Sequence, residues 1–199
     1  MKDLFAYIDS RREEAVAFLQ TLISFDSTFQ EQGIRGNEGA AQQWLYEQLS
    51  GWGFEVTLQE VDNEKIKSLP DYNPNHQYEG RPNLIAIHRG SGDGKSILLN
   101  GHSDTVPLDD LEKWTYPPLG GKRRDGKIYG RGACDMKAGL AAMILAVKYM
   151  NDLGMSHSGD IILESVVDEE GGGNGTLACV AEGYRADAAI VTEPTNQEI

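Results

Sequence analysis

The sequence predicts an α/β fold, a three-layer sandwich whose mixed, mostly parallel sheet carries helices on both faces. Three observations point there. The patterned segments run helix, helix, strands, helix, strand, helix, strand, the alternation that builds a helix-covered sheet. Residues 136–153 are nearly continuous in apolar side chains (Leu140, Met143, Ile144, Leu145, Val147, Met150), as in a helix buried on most sides. Polar residues follow strand ends at four places, and such sheets bind ligands at strand ends.

Taken in order, residues 3–25 place Leu4, Ile8, Ala15, Phe18, Leu19, Leu22 and Ile23 at helical spacing, with Arg11, Arg12, Glu13 and Glu14 on the wet side. Residues 24–36 are polar and turn-rich. A second helix is expected over 37–49, stopped by Gly51 and Gly53. Residues 54–61, F-E-V-T-L-Q-E-V, alternate as a half-buried strand. Residues 62–82 contain Pro70, Pro74, Gly80 and Pro82, which break any long element, so this is a loop and its His76 an exposed loop histidine. Strands follow at 83–88 and 96–101. The Gly/Asp turn between them suggests a hairpin, and His88 reads as a strand-end residue with no special role.

The chain then passes a loop with Trp114, Tyr116, Pro117 and Pro118. The aromatics either line a cleft or pack on the core. A short strand at 126–130 leads into the long helix. A central strand at 160–167, a short helix at 176–182 and a last strand at 186–192 complete the pattern.

Composition narrows the function classes. The 199 residues suffice for one good core. Hydrophobic content of 40% and charged content of 25% suit a soluble globular protein. No apolar run approaches the ~20 residues of a membrane span. A formal charge of -13 opposes non-specific nucleic-acid binding. The N-terminal residues lack a signal-peptide pattern, and Cys134 and Cys179 match neither a zinc nor a redox spacing. Reduced, buried thiols in a cytoplasmic protein are expected.

The chemistry concentrates around residues 97–107, I-L-L-N-G-H-S-D-T-V-P. His102 and Asp104 are two apart, so on a strand they share a side. A carboxylate there can fix the imidazole tautomer while the other nitrogen takes a metal. The alternative is a strand end with two solvated polar residues. Asp135, Glu169, Glu170 and Glu193 follow other elements. If all converge, five carboxylates and one imidazole share a pocket, and without cations some must protonate. Two divalent metals remove that repulsion and describe a two-metal hydrolytic site. Nitrogen and oxygen donors suit zinc, with cobalt or manganese able to substitute. Glu169 and Glu170 point apart as neighbours, so one can ligate while the other takes a proton from water.

The segments G-H-S-D-T-V-P, G-R-G-A-C-D-M-K-A-G, D-E-E-G-G-G and T-E-P-T resemble the di-zinc exopeptidase and deacylase family. It includes acetylornithine deacetylase, succinyl-diaminopimelate desuccinylase, aminoacylase and carboxypeptidase G. The resemblance covers nearly everything from the second helix onward. It implies that His102 is a ligand of one zinc and Asp104 its orienting partner. It further implies that Asp135 bridges two zinc ions and is followed by a cis peptide to Met136. Glu169 would be the general base, with Glu170 a ligand of one zinc and Glu193 of the other. The implied substrates are small N-acyl amino acids or short peptides, cleaved at the amide.

Family members continue into a lid or dimerisation domain and return with a last histidine ligand. His76, His88 and His157 match no such position, and the sequence stops at Ile199. Residues 1–199 are therefore expected to be the N-terminal part of the catalytic domain, without the lid domain or the C-terminal part. A homodimer or a complementary C-terminal polypeptide is the expected macromolecular partner. The second reading is a metal-binding fragment or subunit that is catalytically incomplete alone.

Overall fold

The computed structural model describes residues 2–195. The first helical stretch is two helices, α1 (Lys2–Ser10) and α2 (Arg12–Ser24). The Ser10 hydroxyl donates to the Tyr7 carbonyl at 2.6 Å, a local bond that competes with helix continuation. A two-residue ribbon, β1 (Phe29–Gln30) against β2 (Arg35–Gly36), precedes α3 (Gly39–Gly51). Strand β3 (Glu55–Gln59) follows, then a short helix α4 (Asn63–Ile66) inside the expected loop. Next come β4 (Asn83–His88) and β5 (Ile97–His102). A small hairpin, β6 (Lys122–Arg124) with β7 (Lys127–Tyr129), leads to α5 (Lys137–Asp152). Strand β8 (Ile161–Val166), helix α6 (Asn174–Glu182) and strand β9 (Ala188–Val191) complete the described elements.

The main sheet has the order β3-β4-β8-β5-β9. Its β3/β4 and β4/β8 ladders are antiparallel, and β8/β5 and β5/β9 are parallel. The expected hairpin between β4 and β5 does not form, because β8 lies between them. All six β8 residues are buried. A strand buried on both faces is most stable in the middle of a sheet, paired along both edges. The eight-residue connection from β4 to β5 is long enough to step over it.

Strand alternation sorts the core into layers. On one face Leu84, Ala86, Ile161 and Leu163 pack with Phe18 and Leu22 of α2, Leu45 and Leu49 of α3, and Leu140 and Ile144 of α5. On the other face Ile85, Ile162 and Val166 pack with Cys179 of α6. The sandwich is thus three layers deep. Full burial of each such aliphatic side chain contributes about 1.5–3 kcal/mol. One polar bolt crosses the larger interface. Gln42 of α3 donates to the Ser165 carbonyl at 2.6 Å and accepts from the Ser165 hydroxyl at 2.8 Å.

No helix among the described residues is long and apolar enough to cross a membrane. Both cysteines are free. Cys179 is buried, and burial pushes its thiol pKa up. Cys134 is exposed, contrary to expectation, because it lies in the turn between β7 and α5 rather than on a packed element.

Candidate metal centre

Parallel pairing decides which residues meet. In register, His102 at the end of β5 faces Val166 at the end of β8, and Asn100 faces Val191 at the end of β9. The residues that follow β8 and β9 therefore leave the sheet at the same edge as His102. Glu169 and Glu170 come from the first connection and Glu193 from the second. Asp135 arrives on the turn before α5, which Met136 fastens to β5. The His102 main-chain N–H lies 3.1 Å from the Met136 sulfur. The Asp135–Met136 peptide is cis.

His102 is buried, with 1% of its surface exposed. Its Nδ1 is 2.9 Å from the main-chain oxygen of Asp104. A carbonyl only accepts, so Nδ1 carries a hydrogen, and Nε2 is the nitrogen turned toward the carboxylates. The Asp104 carboxylate stands back at 3.5 Å. The ring is thus oriented first by the main chain of Asp104, with its carboxylate farther off. Nε2 faces Asp135 Oδ1 at 3.2 Å, Glu193 Oε1 at 3.5 Å and Glu169 Oε2 at 3.7 Å. Two donor groups share this nitrogen: His102 with Asp135 and Glu170, and His102 with Glu169 and Glu193. Within each group the donor atoms lie within 4.8 Å of one another.

The fully buried Asp104 carboxylate accepts the main-chain N–H groups of Glu169 at 3.2 Å and Glu170 at 3.0 Å. It holds the turn on which the paired glutamates sit. The six residues singled out in the sequence are therefore brought together.

The sequence profile of peptidase family M20/M25/M40 matches residues 98–199, which contain this constellation. The chain belongs to that family. It is 34% identical over its whole length to an N-formyl-4-amino-5-aminomethyl-2-methylpyrimidine deformylase of Halalkalibacterium halodurans, of which it covers 43%. It is 36% identical, over 89% of its length, to the succinyl-diaminopimelate desuccinylase of Leptothrix cholodnii, of which it covers 44%. The chain thus spans about two fifths of these relatives. Among solved structures, human carnosine dipeptidase 1 shares the fold with a TM-score of 0.74 at 22% identity, over 97% of this chain and 41% of that one. Aminopeptidase PepT from Bacillus cereus matches with a TM-score of 0.65 at 26% identity, over 90% of this chain and 42% of that one.

M20-family enzymes are metal-dependent hydrolases, and the donor set of this chain fits a cation. Burial alone would lower the His102 pKa. The hydrogen bonding and charge of Asp104, then the charges of Glu193 and Glu169, outweigh it and push the imidazole up to about 9. Burial first, and then the charge of Asp135, raise the Glu170 pKa; burial likewise raises that of Glu193. An imidazole so raised holds a proton that a divalent cation would displace. Among the described residues it offers a single imidazole.

Two cavities adjoin the centre. One of about 260 Å³ is bordered by Val106, Arg131, Asp135 and Glu170. It shares Gly130, Arg131, Ala133 and Cys134 with a second, of about 580 Å³, that Trp114, Tyr116 and Tyr129 also line. The two aromatics left open by the sequence thus face a cavity. The Arg131 guanidinium lies 5.0 Å from the Trp114 ring centroid.

Sequence reasoning misplaced one histidine. His76 is buried, 6% exposed, with Nδ1 2.9 Å from Asp168 Oδ1. Tyr78 and Arg81 converge on the same carboxylate. The only signal in the sequence was the density of hydrogen-bonding side chains in an otherwise irregular segment. His88 stays outside the centre. It pairs with Ile161 at the opposite end of β8, and its Nδ1 is 2.7 Å from His157 Nε2.

Proposed function

We propose that this chain carries most of the metal-binding half of an amide hydrolase that removes a small acyl group from an amine. N-acyl amino acids and short peptides are its substrate class, as in acetylornithine deacetylase. The observation that carries this reading is the convergence of Asp135, Glu193 and Glu169 on the Nε2 of His102, all within 3.7 Å. The names of relatives support it, since a deformylase and a desuccinylase both release an acyl group.

In this reading His102, Asp135, Glu170 and Glu193 hold two metal ions, zinc first, with cobalt or manganese able to substitute. Bound there, such ions supply Lewis-acid polarisation of the scissile carbonyl and acidify water. Glu169 is the general base. Its side chain is 48% exposed, so its carboxylate is free to move between water and substrate. It takes a proton as water adds to the amide carbon and returns it to the leaving nitrogen as the C–N bond breaks. Asp104 holds both glutamates in place through their main chain. The aromatic-lined cavity favours a flat group on the substrate, and the free thiols suit the cytoplasm.

The test is metal content by mass spectrometry together with hydrolysis of N-formyl, N-acetyl and N-succinyl amines. Bound zinc and a hydrolysed amide, lost in Glu169→Gln, are expected. Turnover that survives Glu169→Gln overturns the assignment of the base, and absence of bound metal overturns the metal reading.

The single imidazole among the described residues favours a second reading. In it, residues 1–199 are the N-terminal part of the catalytic domain and bind metal but turn over only with a complementary polypeptide or in a dimer. Assays with and without that polypeptide separate the two readings.

A further inference from the structure

The segment before β4 has no regular structure beyond α4, yet it buries its polar side chains against one residue. His76 Nδ1 lies 2.9 Å from Asp168 Oδ1, and the Tyr78 hydroxyl donates to Asp168 Oδ2 at 2.6 Å. Arg81 Nη2 stands 3.7 Å from Oδ1. A carboxylate accepts only, so His76 donates from Nδ1. Arg81 is itself held by a two-pronged bond to Glu38, at 2.7 and 2.8 Å, and stacks over Tyr78 at 5.3 Å. Asn174 donates to the Tyr78 oxygen at 2.8 Å. Glu38 and Asp168 are fully buried, and His76 and Arg81 nearly so.

Burying this many charged and polar groups is costly, and an apolar cluster of the same volume holds a loop as well or better. Their common target is what distinguishes them. Asp168 immediately precedes Glu169 and Glu170 and has φ of +64°, a conformation that side chains with a Cβ disfavour. That backbone reversal sends the Glu169 and Glu170 N–H groups to Asp104 and the Gly172 and Gly173 N–H groups to the Asp168 carbonyl. The turn bearing the glutamates is gripped by Asp104, just past β5, and through Asp168 by the segment before β4.

We propose that His76, Tyr78 and Arg81 are positioning residues: they clamp Asp168 in its left-handed conformation and so aim the carboxylates of Glu169 and Glu170 at the metal centre. This rests on the reading of Glu170 as a ligand and Glu169 as base. A segment distant in sequence thereby controls metal affinity and proton transfer without touching metal or substrate.

The test uses the whole protein, together with any partner polypeptide it needs for turnover. Zinc affinity is measured by competition with a chelating indicator, which needs no turnover, alongside kcat, KM and Tm. Tyr78→Phe removes one hydroxyl and keeps the ring. His76→Ala removes a donor that His76→Asn restores. For Tyr78→Phe and His76→Ala we expect zinc affinity about 10–100-fold weaker, kcat at least about tenfold lower and KM within about twofold. His76→Asn should recover much of both losses. Leu49→Ala, in the core of α3, supplies a control that lowers Tm without touching the clamp. If Tyr78→Phe and His76→Ala lower Tm as Leu49→Ala does, with zinc affinity and kcat unchanged, the residues are merely structural and the proposal is overturned. Glu170→Gln keeps the two readings apart. If Glu170→Gln leaves zinc affinity intact, the ligand reading fails. If it weakens zinc affinity and the clamp variants do not, only the clamp fails.

Discussion

The Asp104 carboxylate accepts the main-chain N–H of Glu170 at 3.0 Å while the Asp104 main-chain oxygen lies 2.9 Å from His102 Nδ1. One residue thus orients a histidine with its backbone and a glutamate with its side chain. Asp104→Asn keeps the backbone contact. Its amide oxygen can still accept one N–H, but its amide nitrogen would meet the other as donor to donor. Metal affinity about 10–100-fold weaker is expected, with the fold retained by circular dichroism. Unchanged affinity would remove Asp104 from the positioning of the glutamates.

Glu169 and Glu170 are adjacent but fall in different donor groups. Glu169→Gln should reduce turnover by roughly 10²–10⁴ and keep the metal. Glu170→Gln should lose metal affinity and turnover together. Treatment with a chelator should abolish activity in the wild-type protein, and added zinc should restore it. Equal metal content and equal residual rates in the two variants would reverse or erase the distinction.

Gly139, in the first turn of α5, packs against the residue before Glu193. A Cβ built there would stand 2.1 Å from the Thr192 carbonyl oxygen, a backbone atom that cannot swing away. Gly139→Ala should therefore push α5 away from the end of β9. A loss of about 1–3 kcal/mol in stability is expected, with weaker metal binding through the displaced Glu193. Denaturant unfolding and zinc titration check the two effects; an unaltered midpoint would refute the close approach.

At the starts of β8 and β9 two aspartates favour an acid limb in the protein's stability. The Gly90 main-chain N–H and then Arg89 hold the Asp160 carboxyl below its ordinary value of 3.8. The Ser96 main-chain N–H and hydroxyl do the same for Asp187. A folded-state pKa below the unfolded one means the unfolded chain binds more protons in that interval, so stability rises with pH there. Their contribution is complete above about pH 5 and is lost as pH falls through 3.8 toward the folded values. Thermal melts across pH 3–6 should show this acid limb, and Asp187→Asn with Asp160→Asn should flatten it. A double variant with the wild-type slope would show that other carboxylates govern it.

Much of the fold was legible because burial leaves a periodic trace. The apolar run of 136–153 appears as α5, and the continuous 160–167 run as the central strand β8. That His102, Asp104, Asp135, Glu169, Glu170 and Glu193 come together was legible too, since a strand end followed by acid and glycine is a local pattern. Two of the expectations that failed did so for one physical reason. The supposed hairpin of β4 and β5 is split by β8, and the supposedly exposed His76 is buried on Asp168. Each depends on a partner far along the chain, 92 positions away in the case of His76, and periodicity carries no information about such partners.

By itself the sequence determined which faces are apolar, which donors end the strands and which family they resemble. These follow from side-chain chemistry and short-range spacing. The tertiary structure alone decided that β8 separates β4 from β5, that a main-chain oxygen orients the His102 ring, and that the irregular segment bearing His76 grips the turn before Glu169. Pairing edges compete globally for burial, and a buried charge is tolerated only where a partner distant in sequence arrives to meet it.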